Sequence, residues 1–182
     1  MIAASDLIYE VVTKTLPNKI IIIPEHHCNF ERQRRGRKGI TAVGCIGTVG
    51  SFKFLPVDIK ERLAQRGIEF IELSKIFTRE DVVNFYSNID VQIIWRPQFK
   101  SSYNQLRNPM KIINASSFGI PTIMYEEPSS EEMDGCFIPV RTLDEFLAEL
   151  DKLRSNPELY DQYAKRCIEK TEEYHIENIA KL

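Results

Sequence analysis

No stretch of the 182-residue chain approaches the ~20 consecutive apolar residues that a membrane-spanning helix needs. No secretory leader is recognisable at the N-terminus. The four cysteines, Cys28, Cys45, Cys136 and Cys167, lie far apart and form no C-x-x-C pair. A disulfide framework is therefore not expected. Cys45, inside an apolar run, reads as a reduced core thiol, and a cytoplasmic location is the expectation. The net charge is only −2, so no global field draws the chain to a polyanion and no nucleic-acid partner is expected. Neither G-x-G-x-x-G nor a Walker loop occurs, and there is no internal repeat or low-complexity segment. What is present is 43% hydrophobic and 27% charged residues in a chain of single-domain length, which predicts one packed core.

Periodicity and breakers give the element order. Residues 3–15 suit a short amphipathic helix capped by Ser5, and 16–18 form a turn. Residues 19–23 (KIIII) form a continuous apolar run stopped by Pro24, the pattern of a strand buried on both faces. A polar loop follows to residue 39. Further strands are predicted at 41–46, 68–73, 91–95, 121–125 and 138–140. Helices are predicted at 57–66, with Val57, Ile59, Leu63 and Ala64 on one side and Gly67 closing it, and after Thr78, where Asp81 completes a capping box. Two more helices follow, one capped by Thr142 and one starting at Pro157. Alternating strands and helices predict an α/β chain: a Rossmann-like, three-layer α/β/α domain with a mostly parallel sheet. Residues 1–18 read as a leading helix and linker, and residues 19–182 as the domain. Ligands of such sheets bind outside the carboxyl ends of the strands, so the loops at 47–53, 74–78, 96–108 and 126–135 are the places to look.

The stretch 106–124 carries the strongest local signals. Asn108 is a good N-cap, Pro109 suits the first helical position, and Gly119 and Pro121 end a helix of about ten residues. Lys111 falls in the first turn, where the helix dipole favours an anion and disfavours a cation. A capping Asn, free N–H groups and a Lys together describe a phosphate site, against the alternative of a surface Lys in water. Gly47, Thr48, Val49, Gly50 and Ser51 follow an apolar strand and let backbone approach a ligand, although a tight turn needs the same residues. Lys53 lies within reach of a phosphate at that edge.

Other clusters read more plainly. His26, His27 and Cys28 are adjacent, so in extended chain they point opposite ways, and no further ligand pair at metal spacing is visible; no metal site is assigned. The run Arg32, Arg34, Arg35, Arg37 and Lys38 reads as a solvated, mobile loop, with a peripheral contact between Arg32–Lys38 and an acidic membrane surface as the alternative. Glu126, Glu127, Glu131 and Glu132 read as a solvated acidic loop rather than a catalytic pair. No residue is singled out as catalytic.

Taken in order, the segments IIIIPEHHCNF (20–30), VGCIGTVGSFKF (43–54), FTREDVVNFYSNIDVQIIWRP (77–97), NPMKIINASSFGIPTI (108–123) and NPELYDQYAKRC (156–167) resemble the C-terminal, nucleotide-sugar-binding half of GT-B fold glycosyltransferases, as in the group 1 (family 4) enzymes. The resemblance runs nearly end to end. It implies one Rossmann-like half of a two-domain transferase, binding a nucleoside-diphosphate sugar whose sugar passes to an acceptor held by a separate N-terminal half, in cis or in trans. It implies that Gly47, Thr48 and Lys53 meet the diphosphate. Asn108, Met110 and Lys111 would present helix-end N–H groups and a cation, Asn114 would meet the ribose, and no cofactor is involved beyond the donor substrate. A role in polysaccharide synthesis belongs to the same implication. The departures are specific: Thr48 stands where the family has Arg, Asn114 where it has a ribose-binding Glu, and Leu106 where many members have another Glu. An interaction module that keeps the fold and has lost donor binding is therefore the alternative.

Overall fold

A computed structural model describes residues 2–76, 78–97 and 108–182. The predicted loops at 74–78 and 96–108 fall partly, and Leu106 wholly, outside the described residues.

The chain opens with β1 (Ile2–Ala3), α1 (Asp6–Thr13) and β2 (Ile21–Ile22). Ser5 caps α1 as its residue type predicts, its hydroxyl accepting the Ile8 N–H at 3.3 Å. The run at 19–23 departs from expectation. Only Ile21 and Ile22 form strand, and they pair in parallel with β1, not with the main sheet. Ile21 remains 46% exposed, because a two-stranded ribbon cannot cover both of its faces.

The main sheet contains β3 (Ala42–Ile46), β4 (Glu69–Leu73), β5 (Val91–Ile94), β6 (Thr122–Tyr125) and β7 (Phe137–Val140). Its order is β4-β3-β5-β6-β7, and every pairing is parallel. β3 and β5 are buried at every position, which is why their sequences are almost wholly apolar, with Gln92 of β5 the exception. The connecting helices are α2 (Val49–Phe52), α3 (Ile59–Ala64), α4 (Arg79–Asn88), α5 (Met110–Ser117), α6 (Leu143–Ser155), α7 (Pro157–Thr171) and α8 (Ile176–Ile179). Side chains alternate across the strands. Val43, Val91, Ile93 and Ile123 pack with Ile59, Leu63, Phe146 and Leu150, so α3 and α6 cover one face. Ile46 packs with Val83, Phe85, Ile89 and Phe118 on the other, with Ile94 and Met124 meeting Ile112 beside them, so α4 and α5 cover that face. The result is the three-layer, Rossmann-like arrangement that the element order predicts.

The local signals held with small shifts. The Thr78–Asp81 capping box forms in both directions, at 3.3 and 2.9 Å. Helix α3 is shorter than predicted, and Val57 is fully exposed, because the helix starts only at Ile59; Ile59 and Leu63 alone supply its buried stripe. Gly67 and Gly119 end α3 and α5 with φ of +66° and +73°, a conformation that favours glycine.

Gly44 is required for a different reason. A Cβ there would lie 2.5 Å from Ile89 Cγ2 and 2.7 Å from Phe85 Cζ, so α4 rests directly on the backbone of β3. Gly44→Ala is expected to cost about 1–3 kcal/mol by overpacking, read as a lower urea midpoint at unchanged slope.

Candidate functional site

The chain runs from β3 outward to the edge strand β4 and then returns past β3 to β5. The crevice outside the carboxyl ends of β3 and β5 is therefore the point where winding reverses, the usual ligand position in open α/β sheets. β3 leads into Gly47, with φ +155° and its N–H donating to Leu73 O at 3.0 Å, and then into α2, with Thr48 at its N-cap. Across the crevice, α5 carries Lys111. Its ammonium lies 3.5 Å from Ser51 Oγ and would lie 2.7 Å from a Cβ placed at Gly47. Glycine at 47 thus leaves the room that Lys111 fills.

A buried polar network holds Lys111 in place. Gln92, on β5 and wholly buried, donates to the Lys111 carbonyl at 3.0 Å and to Thr122 Oγ1 at 3.1 Å, and accepts from the Tyr86 hydroxyl at 2.9 Å. Burial holds the Tyr86 phenol far above its usual pKa, so it remains a donor. Three elements, β5, β6 and α4, thereby fix the first turn of α5. The signal for this network in the sequence is Gln92, the one polar residue of the VQIIW strand.

The other predicted site residues divide. Asn108, Met110 and Lys111 share one wall of a cleft of about 450 Å³, with Arg96 beyond β5 and Ala4 and Ile8 from the leading segment. Asn108 does not cap the helix: Pro109 takes the N-cap position, and its carbonyl accepts the N–H groups of Ile112 and Ile113 at 2.8 and 3.0 Å. Proline has no side-chain acceptor, so the first N–H groups of α5 receive no side-chain cap. Thr48 and Lys53 stay exposed on α2, with the Lys53 ammonium 5.4 Å from the Phe54 ring centre. Asn114 is half-buried, and its side-chain oxygen accepts the Cys28 N–H at 2.7 Å, tying the 26–29 segment to α5.

Several residues read as solvated are not. Glu127 is buried and forms an ion pair with Arg96, placing a charged pair beside the cleft, while Glu126 pairs with Arg141 at the surface at 2.6 Å. Arg96 was missed; an Arg directly after a buried strand, at its carboxyl end, was the signal. The 32–38 run is a loop in which Arg34 and Lys38 are exposed as expected, but three of its arginines are engaged in ion pairs. Arg32 pairs with Glu172 and Glu177 at 2.8 and 2.9 Å, Arg35 pairs with buried Asp90 at 3.0 Å, and Arg37 meets Asp90 at 3.5 Å.

His27 is also buried, its ring edge-on to His175 with centres 5.3 Å apart. Its Nδ1 accepts the Asn29 N–H at 3.2 Å, and His175 Nε2 donates to the Phe30 carbonyl at 3.0 Å, so the pair fastens the 26–30 segment to the C-terminal turns. Among the described residues, no three His, Cys, Asp or Glu side chains converge as a metal site would require. Burial first, then His175, pushes His27 down to about 4, against an ordinary value of 6.5. The unfolded chain therefore binds this proton at a higher pH than the folded one, and stability falls as pH drops from about 6.5 toward 4. About 2 kcal/mol should be lost between pH 7.5 and 5, or about 4–8 °C of melting temperature, and His27→Gln should flatten that slope.

The geometry defines a fold class: a doubly wound parallel sheet in which a glycine-ended strand and a lysine-bearing helix start meet at the switch point. No protein-family model and no curated protein matches the chain. Among solved structures, a chain of the "Crystal structure of GtfA/B complex" superposes with a TM-score of 0.68 at 11% identity, over 99% of this chain and 43% of that one. At that identity the likeness is one of fold. The chain has a glycosyltransferase-like, Rossmann-type α/β fold, and it spans less than half of that neighbour's length. Among the described residues no helix is long and apolar enough to cross a membrane.

Proposed function

We propose that this chain binds the diphosphate of a nucleoside-diphosphate sugar and serves as the donor-binding half of a glycosyltransferase, with the acceptor held by a separate N-terminal half. The observation that carries the reading is the meeting of Lys111 with Gly47 and Ser51 at the switch point, held by the Gln92 network. Sugar transfer breaks the bond between the sugar and the diphosphate, and negative charge grows on the leaving phosphate. Lys111 and the uncapped N–H groups of α5 are fixed groups that would stabilise that charge without reorganising. Arg96, across the same cleft and held by Glu127, would add a second cation.

A specific observation favours a second reading, an interaction module that has lost the donor. The Asn114 oxygen, which the resemblance assigns to the ribose, is engaged by the Cys28 N–H. Uridine, guanosine, adenosine and cytidine diphosphates separate the two. At ten times its Kd, a bound diphosphate adds about 1.4 kcal/mol and should raise the melting temperature by about 3–6 °C. No shift with any of the four at about 10 mM, some −2.7 kcal/mol of standard binding free energy, would leave the interaction module standing.

A further inference from the structure

At the opposite edge of the sheet, below the amino ends of β3 and β5, lies a second cavity of about 390 Å³ between the 35–40 segment and the junction of α6 and α7. Its walls carry Arg35, Arg37, Lys38 and Arg154 against a single lining carboxylate, Asp161. Beneath them Asp90 is wholly buried and is already shared by Arg35 at 3.0 Å and Arg37 at 3.5 Å, so one carboxylate answers two guanidinium groups. Arg35 is also held from the other side, 4.6 Å from the centre of the Tyr160 ring, whose hydroxyl donates to the Asp90 carbonyl at 2.6 Å. Among the described residues Arg154 donates to a backbone carbonyl, that of Arg66, at 2.7 Å, a bond that leaves its charge unmatched. Ile40, Leu153 and Tyr160 supply an apolar floor. The cavity therefore has cations in excess of carboxylates, of which Arg35 and Arg37 are restrained by buried Asp90 and Lys38 and Arg154 are exposed, and it offers planar guanidinium groups suited to phosphate oxygens.

We infer that this cavity is a second anion site, which takes a phosphate-bearing group independently of the crevice at Lys111. The group is carried either by a soluble phosphate compound or by an acidic lipid headgroup, and the two share the same recognition chemistry. The test begins with the Lys111→Ala protein, so that the crevice contributes no lysine. Calorimetric titration of inorganic pyrophosphate at low salt should show one site with Kd below about 1 mM. Adding Lys38→Glu and Arg154→Glu, both at exposed positions, should weaken it at least about tenfold with the melting temperature unchanged. Sedimentation with phosphatidylcholine vesicles, with and without phosphatidylglycerol, separates the sources. Capture by acidic vesicles that pyrophosphate reverses assigns a lipid headgroup, and pyrophosphate binding without capture assigns a soluble phosphate. Absence of both, or equal pyrophosphate affinity in the double-charge variant, overturns the inference and leaves the crevice reading untouched.

Discussion

Replacing Asp90 by alanine is expected to destabilise the fold by about 3–5 kcal/mol, the range for removing one partner of a buried ionic network. Asp90 has no exposed surface. Its carboxylate accepts the N–H groups of Thr41 and Ala42 at 2.7 and 2.8 Å and the Thr41 hydroxyl at 3.1 Å, and it pairs with Arg35 at 3.0 Å. Alanine would leave the start of β3 without an acceptor and Arg35 without its counter-charge, and burial makes both costly. Asparagine keeps one acceptor oxygen for the backbone but turns an N–H2 toward a guanidinium, so Asp90→Asn should fall between wild type and alanine. Urea denaturation checks both, and a loss below about 1 kcal/mol for Asp90→Ala would mean that the carboxylate is solvated after all.

The second large effect concerns the crevice. Lys111→Ala should weaken nucleoside-diphosphate binding by about 10- to 100-fold, the worth of about 1.5–3 kcal/mol for a hydrogen bond to a charged group. Stability should change little, because the fixed point of this turn is the Lys111 backbone carbonyl, held by Gln92 and Tyr86, and alanine retains it. An equal loss of stability and of binding would instead make Lys111 a packing residue.

The two predictions differ in how far the sequence announces them. Lys111 is legible because its signals are local: a Pro-started helix, a glycine stop and a cation at the wrong end of a dipole lie within twelve residues. The sheet was legible for the same kind of reason. VGCI is an unbroken apolar run, and VQII is one interrupted only by Gln92; both lie between breakers and have the length and β-branched content of a strand covered on both faces. Asp90 read as nothing more than the residue after a helix, and the arginine run as solvated. Their pairing spans 55 residues, and a one-dimensional pattern carries no sign of which carboxylate an arginine will meet. Glu127 with Arg96 and His27 with His175 escaped on the same ground. The 19–23 run failed differently. Its apolar character was correct for a strand, but among the described residues it pairs with β1 alone, so composition overstated its burial.

Asn114 sharpens what the site reading requires. Its resemblance-based role is to meet a ribose hydroxyl, yet its oxygen holds the Cys28 N–H at 2.7 Å. Under the proposed function, donor binding would lean on the diphosphate end of the crevice, on Lys111, the α5 N–H groups and the glycine at 47, and base identity should matter less to affinity than the diphosphate does. Calorimetric titration of uridine diphosphate and uridine monophosphate into the wild-type and Lys111→Ala proteins tests this most directly. The account predicts measurable diphosphate binding, at least about tenfold weaker monophosphate binding, and loss of that difference in Lys111→Ala. Equal affinity of the wild-type protein for the two nucleotides, or a diphosphate affinity unchanged by Lys111→Ala, would contradict it.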